Sequence, residues 1–360
     1  MRAYLVFEDG SIYEGTARGA FRETACEVVF NTSMTGYFEI LSDPSYAGQG
    51  IVMTYPLIGN YGISFEDLES IRLQPNAFIV RELCGEPSNF RSVATLEEVL
   101  VQFGVPCLSD IDTRSVVKKL RESGTMLGLL TQDISSMKRC MDVISKYRHV
   151  QLVERVSVKE SKTLGDGNTG PSVAVYDFDE KMNITHSLLQ RNCRITTYPF
   201  YTTAKEILDG GHDGIMLSNG PGDPAECKGI IKELGTLYEH GMPTFAICLG
   251  HQLMALATGG NTEKMKYGHR GSNHPVKFLA KDKTYITAQN HGYVVCREGL
   301  PQNAEIHCVN INDNSVEGVL YRGKPVFSVQ FHPEASAGPR DTAFLFDRFI
   351  DMMREGRYVD

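Results

Sequence analysis

A short apolar run, Pro243-Thr-Phe-Ala-Ile, stops at Cys248 and gives way at once to Leu-Gly-His-Gln252-Leu-Met-Ala-Leu-Ala, a stretch rich in helix formers. A strand that turns sharply into a helix at a nucleophile is the elbow geometry of α/β hydrolytic enzymes. The turn lifts the sulfur clear of the sheet and sets it near the helix N-terminus, where the dipole favours thiolate over thiol. Gly250 leaves room for a close turn, while Ala246 stands where such elbows usually carry glycine. Taken alone, a cysteine ending an apolar strand reads as a core residue. Its surroundings in the sequence change that reading.

From residue 172 the chain alternates strand and helix: strands over 172–178, 194–198, 214–219 and 243–248, helices over 181–191, 204–208 and 230–240. Strands apolar on both sides, separated by helices, predict a parallel sheet covered on both faces, a doubly wound α/β domain over 172–360. Ligands in that architecture sit at the carboxyl ends of the strands. Two such ends carry candidates: Ser218-Asn-Gly220-Pro-Gly222-Asp-Pro224, and Cys248 itself. After Gly260 the pattern shifts to hairpin-like strands, and an amphipathic helix closes the chain over 343–354.

The first 150 residues read differently. A hairpin turns at Asp9-Gly10, and short strands at 27–30, 51–55 and 78–81 are joined by Gly-, Pro- and Asn-rich connections. Thr95-Leu-Glu-Glu98 is a capping box for a helix over 96–103, and Asp112 caps another over 113–123. This predicts a smaller mixed β/α domain over 1–150. Residues 153–160 read as one extended segment, and Thr163-Leu-Gly-Asp-Gly-Asn-Thr-Gly-Pro171 is turn-former throughout, so 151–171 is expected to link the two domains.

At 360 residues each domain has material for its own core. A net charge of −8 lacks the footprint of a nucleic-acid binder. The N-terminal apolar run is too short for a signal-peptide core, and no stretch approaches membrane-spanning length. Nine cysteines, scattered singly, suit reduced thiols in a cytoplasm better than a disulfide framework.

The strand Val326-Phe-Ser-Val-Gln-Phe331 runs straight into His332-Pro333-Glu334. A thiol nucleophile needs a base to take and return its proton, and that base needs a third group to fix its tautomer and stabilise its charge. His332 and Glu334 supply both, with proline stiffening the link between them.

Cys248-Leu-Gly-His-Gln252, the Asn-Gly-Pro-Gly loop at 219–222 and Phe331-His-Pro-Glu-Ala335 together resemble the class I, or triad, glutamine amidotransferases. Asn31-Thr-Ser-Met-Thr-Gly-Tyr37, Asp43-Pro-Ser-Tyr46, Thr54-Tyr-Pro-Leu-Ile-Gly-Asn60, Asp110-Ile-Asp-Thr-Arg114 and Gln289-Asn-His-Gly292 narrow the resemblance to the small, glutamine-hydrolysing chains of carbamoyl-phosphate synthase, over essentially the whole length. The resemblance implies a flavodoxin-like C-terminal fold. It implies that Cys248 attacks the side-chain amide of glutamine to give a glutamyl thioester and ammonia, with His332 as base then acid and Glu334 as its partner. The backbone N–H groups of Leu249 and Gly220 would form the oxyanion hole. Ser45, Gly222, Gln252, Asn290, Gly292 and Tyr293 would hold the glutamine, Ser45 from the first domain.

No Walker-type phosphate loop is present, so no cofactor is expected on this chain. The resemblance puts ATP and Mg on a separate large chain, paired with this one as a heterodimer or a higher oligomer of heterodimers. That chain would turn ammonia and bicarbonate into carbamoyl phosphate for arginine synthesis, pyrimidine synthesis or both. Phe331 stands where many relatives have glycine, and Tyr293 where phenylalanine is common. His269 and His274 flank a Gly/Ser/Asn loop, but without further ligands at zinc-like spacing no metal site is expected. Rival readings are an amidotransferase serving anthranilate, GMP or CTP synthesis, a silent subunit and a cysteine peptidase. The N-terminal motifs, the retained Cys248, His332 and Glu334, and the Gln252 context weigh against each in turn.

Overall fold

Two units divide the chain, Met1–Val150 and Gln151–Asp360. The computed structural model describes residues 1–148 and 152–358.

In the first unit seven strands close into a barrel. Going round, they are Arg2–Phe7, Ile12–Gly19, Pro106–Ser109, Ala77–Ile79, Gln49–Met53, Thr24–Asn31 and Met126–Thr131. Alternate residues of these strands, among them Leu5, Phe7, Val28, Val52, Ile79, Leu108 and Leu130, pack together with Val116 and Leu120 of the helix Thr113–Ser123. The opposite alternation, Val29, Ile51, Met53 and Phe78, packs on Leu96, Val99 and Leu100 of the helix Leu96–Gln102. Both expected caps form: Thr95 and Glu98 make a reciprocal capping box, and Asp112 accepts from Ser115 N. A closed barrel is more regular than the mixed domain anticipated from separate short strands. Closure removes the sheet edges, a long-range property that local patterns do not carry.

The second unit holds a ten-stranded sheet. Its parallel part runs Arg194–Tyr198, Ser172–Tyr176, Gly214–Leu217, Thr244–Ile247, Val326–Val329 across the sheet. In chain order that is 2-1-3-4-5, the flavodoxin-like winding. Four antiparallel strands, Val316–Tyr321, Ala304–Asn310, Thr262–Phe278 and Lys283–Val295, extend it. Side-chain alternation splits the central strand Thr244–Ile247 between two cores. Ala246 packs with Leu234 and Leu237 of helix Lys228–His240 and with Leu249 and Leu253 of helix Leu249–Ala257. Phe245 and Ile247 pack with Ile184 and Leu188 of helix Met182–Leu189 and with Phe346 and Phe349 of helix Phe344–Glu355. Phe245 and Phe327 stack across the strand pair at 4.3 Å between centroids, an arrangement worth about 1 kcal/mol beyond the area it buries.

The stretch expected as a linker departs from that reading. Residues 153–160, expected to be extended, open in the helix Leu152–Val156, and Lys162–Leu164 pairs antiparallel with Arg194–Tyr198 as the edge strand. Leu152 and Val153 are buried, and burying that apolar pair overrides the β-branched pattern. No helix among the described residues is long and apolar enough to cross a membrane.

Candidate active site

Cys248 sits between the strand Thr244–Ile247 and the helix Leu249–Ala257 with φ 53° and ψ −103°. A non-glycine residue at positive φ is uncommon and marks a strained turn. Here that turn is the elbow itself. Its N–H donates to Val329 O at 2.9 Å, so the elbow is fixed to the neighbouring parallel strand, whose continuation carries His332. The sulfur is 3.6 Å from Asn290 O and almost wholly buried.

His332 is held from both sides. Its N–H donates to Ala288 O at 2.9 Å, and ring Nδ1 lies 2.6 Å from Glu334 Oε1. Burial opposes charge on the imidazole, but Glu334 and the Cys248 sulfur outweigh it and hold the His332 pKa well above its ordinary value. Nε2 makes no regular hydrogen bond. The Cys248 sulfur nonetheless lies close enough to raise the ring's pKa. The same attraction works in reverse on Glu334: burial would raise its pKa, yet His332 and Lys181 bring it below the usual carboxylate value.

Lys181, which the sequence reading passed over, lies 3.4 Å from Glu334 Oε1 through Nζ and donates to Ala335 O at 2.6 Å. Both side chains are buried. Removing one partner of such a buried pair typically costs about 3–5 kcal/mol, because the other charge is left uncompensated. The sequence held one signal. Lys181 ends Asp177-Phe-Asp-Glu-Lys181, a charged run at the carboxyl end of the first parallel strand, where this architecture places its sites.

The loop after Gly214–Leu217 packs against the elbow helix. A Cβ on Gly220 would stand 2.5 Å from Phe178 O and 2.7 Å from Leu249 Cδ2, so glycine alone permits this approach. Asn219 Oδ1 accepts from Lys181 N at 3.0 Å, tying the loop to the residue behind Glu334. Leu249 opens its helix, so its N–H has no intrahelical acceptor. Gln252 Nε2 donates to Tyr293 O at 2.8 Å and to Gln330 Oε1 at 2.9 Å. One turn of the elbow helix thus fixes both the strand carrying Asn290 and the segment leading to His332. His251, one residue earlier, joins the core instead, with Nδ1 2.8 Å from Ser328 Oγ.

Contacts thus bring together Cys248, Leu249, Gln252, Gly220, Asn290, Tyr293, His332 and Glu334. Gly222 follows at φ +96°, its nearest neighbours belonging to Leu152, and Gly292 lies against the Arg270 guanidinium. Ser45 belongs to the first unit, in the turn Pro44–Tyr46, where its N–H donates to Asp43. Phe331 is wholly buried in the apolar core with Phe278 and Phe327. The bulky side chain is therefore absorbed there.

Residues 174–352 match the family described as Glutamine amidotransferase class-I, and residues 5–130 match Carbamoyl-phosphate synthase small chain, CPSase domain. The carbamoyl phosphate synthase small chain of Clostridium perfringens is 47% identical over 350 residues, spanning 97% of this chain and 99% of its own. That of Bacillus caldolyticus is 47% identical over 357 residues, spanning 99% and 97%. The carbamoyl phosphate synthase pyrimidine-specific small chain of Bacillus subtilis is 46% identical over 366 residues, spanning 100% and 99%. With both halves matched and identity near one residue in two end to end, the chain belongs to the carbamoyl phosphate synthase small-chain family.

Proposed function

We propose that this chain, the glutaminase subunit of a carbamoyl phosphate synthase, hydrolyses L-glutamine through Cys248, His332 and Glu334. One observation carries the reading: a cysteine held at positive φ on an elbow, hydrogen-bonded to the strand that leads to a buried His332–Glu334 pair. The raised His332 pKa, with Cys248 among its causes, makes the ring a base able to take the thiol proton of Cys248. The thiolate attacks the side-chain carbonyl carbon of glutamine. The oxyanion that forms is met by the N–H groups of Leu249 and Gly220. His332 then gives its proton to the departing nitrogen, ammonia leaves, and a glutamyl thioester remains on Cys248. His332 next takes a proton from water, the hydroxide attacks the thioester, and glutamate leaves as the thiolate re-forms. Throughout, Glu334 holds the imidazole in one orientation and balances its charge, while Lys181 keeps Glu334 ionised.

Gln252, Asn290, Gly292, Tyr293 and Gly222 would hold the glutamine. Ammonia would pass to an ATP- and Mg-using large chain in a heterodimer, shielded from water, since protonation to ammonium removes the lone pair that reacts. The Bacillus subtilis relative's name favours pyrimidine supply as one destination of the product.

Acid-quenching the enzyme during turnover on glutamine and mapping its peptides by mass tests the chemistry. The expected result is a glutamyl adduct on the peptide carrying Cys248. An adduct on another cysteine, or hydrolysis with none at all, would overturn the assignment.

A further inference from the structure

We propose that His269 Nδ1, His291 Nε2, a Glu317 carboxylate oxygen and the Gln289 amide oxygen form a site for one divalent ion of the zinc class. His269, His291 and Glu317 are buried, and one ligand atom from each lies within 4.8 Å of the others. Gln289 Oε1 is 2.8 Å from His269 Nδ1 and 3.1 Å from His291 Nε2, and His269 Nδ1 is 3.4 Å from Glu317 Oε1. Four ligands around tetrahedral zinc at its usual bond lengths stand roughly 3.3 Å apart. Two imidazoles, a carboxylate and an amide oxygen also suit a borderline divalent ion.

The hydrogen bonding points to a ligand here. His291 Nδ1 faces Tyr293 O at 2.8 Å, and Nε2 faces Gln289 Oε1. Both neighbours are acceptors, yet a neutral imidazole has a single N–H to give. Flipping the Gln289 amide does not help, since its nitrogen is needed by Thr287 and Glu317. In the neutral ring, with Nδ1–H donating to Tyr293 O, a lone pair on Nε2 is aimed at a lone pair on Gln289 Oε1. A cation bound by both removes that conflict. It would also engage Glu317, whose buried Oε2 has no hydrogen-bond partner.

The outer ligands fit as well. Metal-binding histidines usually donate their second N–H to a carbonyl or carboxylate, which fixes the ring. His291 does so to Tyr293 O, and His269 Nε2 lies 2.8 Å from Asp313 Oδ2. His274, which flanks the same loop in the sequence, lies 5.0 Å away ring to ring, tilted, and outside the group. The ligands come from three strands, Thr262–Phe278, Lys283–Val295 and Val316–Tyr321, so one ion would pin the antiparallel extension behind the strand that presents Asn290.

The test uses the full chain, stripped with a chelator and titrated with Zn²⁺ against a chromophoric competitor, and with Co²⁺ for its spectrum. The expected result is one equivalent of Zn²⁺ per chain, a raised Tm, and a Co²⁺ spectrum without a thiolate charge-transfer band. Glu317→Gln and His269→Asn should each weaken binding at least about a hundredfold. Asp313→Asn, which keeps the buried ligands and is the deciding variant should those two not fold, should weaken it about tenfold. Failure of the wild-type chain to bind a stoichiometric ion would overturn the proposal. So would affinity unchanged in the folded variants, or a thiolate band in the Co²⁺ spectrum.

Discussion

Cys248→Ser is expected to abolish glutamine-dependent carbamoyl phosphate synthesis by the complex with the large chain, while ammonia-dependent synthesis stays within about twofold of wild type. The hydroxyl is a far weaker nucleophile at neutral pH, and its proton is much harder for a histidine base to remove than a thiol's. Loss of a nucleophile from a unit of this kind removes roughly four or more orders of magnitude in kcat. The substitution is nearly isosteric, and the elbow's backbone bond from Cys248 N to Val329 O does not involve the side chain. Parallel assays with glutamine and with ammonium chloride separate the outcomes. Loss of both activities in a folded complex would mean that Cys248 does something other than release ammonia.

Gly220→Ala is expected to lower kcat for glutamine hydrolysis about a hundred- to a thousandfold, the usual cost of losing one oxyanion donor. A methyl group there would meet Phe178 O at 2.5 Å and Leu249 Cδ2 at 2.7 Å. One contact is backbone, which yields poorly, and the other is the side chain of Leu249, the residue proposed to supply the second donor. The loop must retreat and take its N–H with it. Overpacking of this kind also costs about 1–3 kcal/mol of stability, so thermal denaturation is to be measured alongside kcat. A stable variant with unaltered kcat would remove Gly220 from the oxyanion hole.

What could be read from the residues was what local chemistry dictates. The elbow at Cys248, the strand-end His332 and Glu334, and the doubly wound half all rest on short-range patterns: an apolar strand, a turn, a helix. The barrel did not announce itself, because closure depends on pairings such as Ala77–Ile79 with Pro106–Ser109 that lie far apart in sequence. The helix Leu152–Val156 was hidden by its β-branched residues, and burial in the second unit decided otherwise. Lys181 and Glu334 are distant in sequence, so their ion pair could not be inferred from spacing. For the same reason the sequence did not show that strand pairing sets His269 beside His291.

The most direct measurement is ammonia released from glutamine by the purified chain, alone and with the large synthase chain added. The account predicts slow release by the isolated chain, strong stimulation by the partner, and one glutamate formed for each ammonia. Release that the partner leaves unchanged would contradict the coupling to carbamoyl phosphate synthesis, and no release in either condition would contradict the glutaminase itself.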